Sequence, residues 1–177
     1  MNIWHNINPT RVTSLRFDAV IEIPMGSKLK YELDKETGYL ILDRVLYTST
    51  HYPANYGFIP RTLGEDGDPI DVLILSNEAF APLSLVPCHP IGVIRMVDNN
   101  EHDEKIIAVP KGDPTYNVYK SIRELPEHIF DEMSHFFSVY KELEGKKTIM
   151  KNIEDREAAI AVIDACMKRY KEAFCKA

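Results

Sequence analysis

The chain changes its hydrophobic period once, and that change limits the fold more than any other feature. Through the first two-thirds, apolar residues come in short runs cut by glycine and proline, the pattern of β-strands. Residues 19–23, Ala-Val-Ile-Glu-Ile, stop at Pro24. Residues 28–34 alternate strictly, with Leu29, Tyr31 and Leu33 on one face and Lys28, Lys30, Glu32 and Asp34 on the other. A turn over 34–38 leads into a second run over 39–46, which predicts a hairpin; this run is apolar on both faces yet carries Asp43 and Arg44. Further strands are predicted over 70–75, 91–97 and 105–109. After Pro126, a residue suited to the first turn of a helix, the period becomes helical: Ile129, Met133, Phe136, Phe137 and Tyr140 share a stripe. From about residue 154, Ala159, Ile163, Cys166, Tyr170 and Phe174 do the same. Short strands without regular βαβ alternation, followed by two amphipathic helices, predict a small barrel with helices packed outside it. The first 16 residues carry no clear pattern.

With 177 residues and no linker, repeat or low-complexity tract, the chain is expected to form one domain over 1–177. Its formal charge of −6 argues against a nucleic-acid binder, whose affinity comes from neutralising phosphates with Lys and Arg. An acidic protein that binds an anion must gather cations locally or recruit metal ions. Cys88, Cys166 and Cys175 are odd in number and lack CxxC spacing, so free thiols in a reducing compartment are expected. The N-terminus has neither the basic start nor the apolar stretch of a signal peptide, and no segment approaches the ~20 apolar residues that span a bilayer. A soluble, cytoplasmic protein without a membrane partner is the expectation.

Chemistry concentrates in Glu65-Asp66-Gly67-Asp68-Pro69-Ile70-Asp71. Gly67 and Pro69 force a turn, and a strand follows at once, so three aspartates gather at one strand mouth. Two charges about 4 Å apart interact by about 4 kcal/mol at an effective dielectric near 20. Solvent, protons or cations must relieve such a set, and hard oxygen ligands suit magnesium. Taken alone, the motif reads equally as a solvated acidic turn. It is no EF-hand: counted from Asp66, the fifth, sixth and twelfth positions are Ile70, Asp71 and Asn77. A second acidic stretch from Asp98 to Lys105 joins two apolar strands, which would hold Asp98 and Asp103 in fixed geometry. Arg44, alternating with Leu42 and Leu46, lies on a face that otherwise favours burial, so it must be paired or held for an anion. The aromatic connection over 47–60 supplies the hydroxyls of Tyr52 and Tyr56, and Tyr140-Lys141 close the first helix. Other templates fail: Gly145-Lys146-Lys147-Thr148 has Tyr140 where a phosphate loop needs its first glycine, and neither HExxH nor GxSxG occurs.

Together these residues resemble one family. Glu22 in Val-Ile-Glu-Ile-Pro, Lys30 and Glu32 in Lys-Tyr-Glu-Leu-Asp, Asp43-Arg44 and Tyr52-Pro-Ala-Asn-Tyr56-Gly are similar to segments of the family I soluble inorganic pyrophosphatases, bacterial type. So are Asp66-Gly-Asp68-Pro-Ile-Asp71-Val, Asp98, Asp103-Glu-Lys105 and Tyr140-Lys141. The match runs from about residue 18 to 145 in family order. It implies an α+β fold, an OB-like five-stranded closed barrel with flanking helices. It also implies hydrolysis of pyrophosphate to two phosphates with several Mg2+ ions, in a homo-oligomer that is typically a hexamer. By the same resemblance Asp66, Asp71 and Asp103 hold the core metals, Asp98 helps hold a further ion, and Glu22, Glu32 and Tyr52 stand near the metals and their waters. Lys30, Arg44, Tyr56, Lys105, Tyr140 and Lys141 grip phosphate, and Asp68 is the general base. The competing readings are a metal-dependent nucleotide or phosphoester hydrolase, an OB-like nucleic-acid binding module, and a silent metal-binding protein.

Overall fold

A computed structural model describes residues 2–98 and 101–175. A short helix, α1 (Ile3–Asn6), capped by Asn2, and a 3-10 turn over Pro9–Arg11 precede the first strand, β1 (Phe17–Ile23). The hairpin β2 (Leu29–Leu33) and β3 (Leu40–Val45) follows, then β4 (Asn55–Phe58), β5 (Asp71–Ile74), β6 (Leu85–Asp98), the two-residue β7 (Glu101–His102) and β8 (Lys105–Pro110). Helix α2 (Glu127–Val139), strand β9 (Thr148–Asp155) and helix α3 (Arg156–Phe174) complete the order. Asn99 and Asn100, in the second acidic stretch, lie outside the described residues.

Five strands pair in the order β1-β4-β5-β8-β6, and β6 returns to pair with β1, closing the ring. The pairings are antiparallel except β5 with β8. This is the expected OB-like five-stranded barrel in an α+β chain. Closure depends on β6, which faces β1 from Leu85 to Cys88 and β8 from Cys88 to Ile94, with a register shift between Pro90 and Gly92. Such a bulge bends a strand and raises its twist, so one long strand serves two neighbours.

The central strands are apolar at nearly every position because both faces are covered. Val72 and Ile74 of β5 and Ile106 and Ala108 of β8 pack with Ala159, Val162, Ile163 and Cys166 of α3. Leu73, Ile107 and Val109 point the other way, into a cluster with Phe130, Met133, Phe136 and Phe137 of α2. The helical stripes therefore meet opposite faces of the same strands, while Phe174 at the end of the second stripe stays half-exposed.

Two strands depart from the sequence reading. The connection over 47–60 contains β4, fully buried between β1 and β5. Gly57 lies within it because a Cβ there would come within 1.8 Å of the Val20 carbonyl oxygen. Strand β9, over residues given no element in the sequence reading, runs up to the last helix, which is expected from about residue 154 and starts at Arg156, capped by Asp155. As an edge strand on β6, β9 buries few side chains and so lacks a strong period.

Candidate active site

The carboxylates converge because their strands start or end at one side of the barrel. The turn of residues 64–68 is closed by its own backbone: the Gly64 N–H donates to the Asp68 carbonyl at 2.6 Å, and the Asp68 N–H donates to Asp66 Oδ1 at 3.0 Å. Gly67 holds φ of 87°, a region that L side chains rarely adopt. Asp71 then opens β5 and stands opposite Lys105, the first residue of β8.

Lys105 is the centre of the arrangement. Its ammonium, on a residue 2% exposed, donates to Asp71 Oδ2 at 2.7 Å, Asp103 Oδ1 at 2.9 Å and the Tyr56 hydroxyl at 3.1 Å. Burial alone would favour the neutral amine, but Asp103 and Asp71 outweigh it and hold its pKa well above the ordinary lysine range. Tyr56 in turn donates to Asp71, and burial with that carboxylate keeps its phenol protonated.

Glu22, on the fully buried strand β1, accepts the Leu33 N–H at 2.8 Å, tying the hairpin to the barrel. Burial, then the nearby charge of Asp71, raises its pKa to about 8. On the hairpin, Lys30 pairs with Glu32 and, at 3.2 Å, with Asp43. Lys30 faces Arg44 across β2 and β3. Arg44 is paired with Asp43 and, at 3.0 Å, with Glu144, while its Nη2 is buried without a hydrogen-bond partner. The sequence required that guanidinium to be paired or held for an anion, and it has both an ion-pair partner and a donor to spare.

Lys141 pairs with Asp98, whose other oxygen, Oδ1, is buried without a hydrogen-bond partner. Tyr140 belongs to the apolar cluster of α2 yet reaches the cleft wall.

One cleft of about 200 Å³ is lined by Glu22, Lys30, Glu32, Tyr56, Asp66, Asp68, Asp71, Asp103, Lys105, Tyr140 and Lys141. Three residues singled out in the sequence stand behind that wall. Arg44 backs Lys30, Asp98 backs Lys141, and Tyr52, 2% exposed, packs its ring 5.2 Å from that of Tyr56. Lys146 and Lys147 are exposed and do not line the cleft. Sequence reasoning missed Trp4 and Lys35, which do line it, and Glu144, the partner of Arg44. No local signal marks them, because each reaches the site through a contact distant in sequence.

The donor set suits a hard divalent cation. It consists of carboxylates, includes the orphaned Asp98 Oδ1, and sets Asp71 near enough to Glu22 to raise the Glu22 pKa. Among the described residues, no three acids, histidines or cysteines converge closely enough to hold an ion by themselves.

Comparison with known proteins agrees along nearly the whole chain. The family model described as inorganic pyrophosphatase matches residues 19–171. An inorganic pyrophosphatase of Helicobacter pylori is 50% identical over 155 residues, covering 86% of this chain and 90% of that protein. A solved structure of inorganic pyrophosphatase from the same bacterium superposes with a TM-score of 0.89 at 46% identity, covering 94% of this chain and 99% of that one. The enzyme from Thermus thermophilus superposes with a TM-score of 0.88 at 38% identity, covering 97% and 99%. Similarity of that extent, over a chain whose acids and lysines meet in one cleft, leaves a single assignment: this protein belongs to the family I inorganic pyrophosphatases.

Proposed function

We propose that the chain hydrolyses inorganic pyrophosphate to two phosphates with magnesium, in the cleft around Lys105. The observation that carries this reading is the convergence of Asp66, Asp68, Asp71 and Asp103 with Lys30, Lys105 and Lys141 in that one cleft. Its volume, about 200 Å³, lies below the roughly 300–1,000 Å³ of sites for drug-sized ligands, which favours a compact polyanion over a nucleotide.

Family membership implies a divalent metal cofactor. Asp66, Asp71 and Asp103 would hold the core ions, Asp98 a further one, and Glu22 and Glu32 would face their waters, with Tyr52 supporting Tyr56 from behind. Bound magnesium lowers the pKa of a coordinated water toward neutrality and screens the charge of a phosphoanhydride. The chain's own groups do the rest. Asp68, on the cleft wall, accepts the proton of the attacking water. Lys105 fixes the directions of Asp71 and Asp103 and adds a permanent positive charge beneath the substrate. Lys30, Arg44, Tyr56, Tyr140 and Lys141 take the charge that develops on the departing phosphate, a task of electrostatics and positioning. Exchange of the Lys141–Asp98 ion pair for a phosphate contact would leave Asp98 available to metal. A homo-oligomer of hexameric type, a cytoplasmic location and a single domain over 1–177 belong to the same reading. No helix among the described residues is long and apolar enough to cross a membrane.

A counter-screen tests the substrate class. With magnesium present, pyrophosphate should be turned over at least about 100-fold faster, by kcat/KM, than nucleoside triphosphates or phosphomonoesters. Comparable rates on a nucleotide would replace this reading with a general phosphohydrolase.

A further inference from the structure

The N-terminal segment reaches the cleft through a contact that the reaction just described does not use. Lys35, in the turn between β2 and β3, forms an ion pair with Asp68, and its ammonium lies 5.5 Å from the centroid of the Trp4 ring. Trp4, Lys35 and Asp68 come from three separate stretches of chain, and all three line the cleft.

Both supports of Lys35 are built rather than incidental. The turn is stiffened from within: Asp34 accepts the N–H groups of Glu36 at 3.2 Å and Thr37 at 3.3 Å, and Gly38 holds φ of 78°. From outside, the Asn2 side-chain amide donates to the Lys35 carbonyl at 2.5 Å, while Asn2 Oδ1 accepts the Trp4 N–H at 3.0 Å. Trp4 is itself anchored, being 5% exposed, with its indole N–H on the Thr62 carbonyl at 2.9 Å and its ring 5.3 Å from that of Phe174 on α3. An aromatic face under an ammonium attracts it electrostatically, so Trp4 and Asn2 together set where Lys35 points.

Asp68 needs such a partner. It stands on an exposed turn with its side chain 55% exposed, and a reacting group that wanders loses the rate advantage of orientation. A pair this exposed adds little to stability, so its consequence lies in orientation rather than in holding the fold. We propose that Lys35, aimed by Trp4 and Asn2, is a positioning residue for Asp68, which makes the N-terminal segment part of the catalytic apparatus. The proposal rests on Asp68 acting as the base.

The test is steady-state kinetics of phosphate release from magnesium pyrophosphate. K35M should lower kcat about tenfold, as a misoriented group does, with KM within about twofold of wild type and an unchanged thermal midpoint. K35R and W4F should recover most of the rate, and W4L should fall with K35M. In a D68N background, K35M should add no further loss. Three results would overturn the proposal: unchanged kcat in K35M, a rise in KM alone (which would make Lys35 a substrate contact), or the same fold-loss from K35M with and without Asp68. Full turnover by D68N itself would instead remove the base role on which the proposal stands, so the two failures are distinguishable.

Discussion

A lysine ammonium is stable in the interior only when its charge is answered, and Lys105 is answered by two carboxylates and a phenol at once. Asp71 serves both Lys105 and Tyr56, which separates the consequences of two substitutions in the same loop. Asp71→Asn should weaken magnesium binding and lower turnover by about 100-fold, with some loss of stability because Lys105 loses a charged partner. Asp68→Asn should leave the fold and most of the metal affinity intact while kcat falls by about 100-fold. Magnesium titration calorimetry beside phosphate-release kinetics checks both. These residues were legible because a glycine and a proline in a run of acids, followed directly by a strand, mark a turn that gathers charge. Glu144 and Lys35 were not legible: their partners, Arg44 and Asp68, lie in other parts of the chain, and only folding brings them together.

At the scale of elements, periodicity predicted the strands with two covered faces and the helices that cover them, because burial imposes a pattern. It passed over β4, whose aromatic and glycine composition resembles a loop until the close approach at Gly57 is known. Gly57→Ala would place a methyl group against the Val20 backbone, and the strand must shift to admit it. The expected cost is about 3 kcal/mol, together with reduced activity because β4 carries Tyr56; denaturant unfolding measures the first. The start of α3 offers a second check. Partial burial disfavours the Asp155 carboxylate, but the Arg156 N–H, the Ser121 hydroxyl and Arg123 outweigh it, leaving the pKa below its ordinary 3.8. A depressed carboxylate stabilises the fold above its unfolded pKa, and that stability disappears as pH falls through the folded pKa. Asp155→Ala should therefore cost about 1 kcal/mol near neutral pH, as loss of a helix cap does. The gap in thermal midpoint between variant and wild type should narrow below about pH 4. A gap independent of pH down to full acid unfolding would contradict the assignment.

At the scale of the whole molecule, the switch from strand to helical period predicted the barrel and its two covering helices, but not how the barrel closes. Pro87 and Pro90 disguise the first part of β6, which pairs with β1 up to Cys88 and with β8 from Cys88 onward, through a register shift before Gly92. Closure sets β5 and β8 side by side, which brings Asp71 to Lys105 and makes one cleft of two acidic loops. The central claim is that this cleft hydrolyses pyrophosphate with divalent metal, and release of phosphate from pyrophosphate, followed with magnesium, after chelation and after magnesium is restored, tests it most directly. The account predicts steady release with magnesium, background release with chelator and recovery when magnesium returns. Absence of release under all three conditions would contradict it.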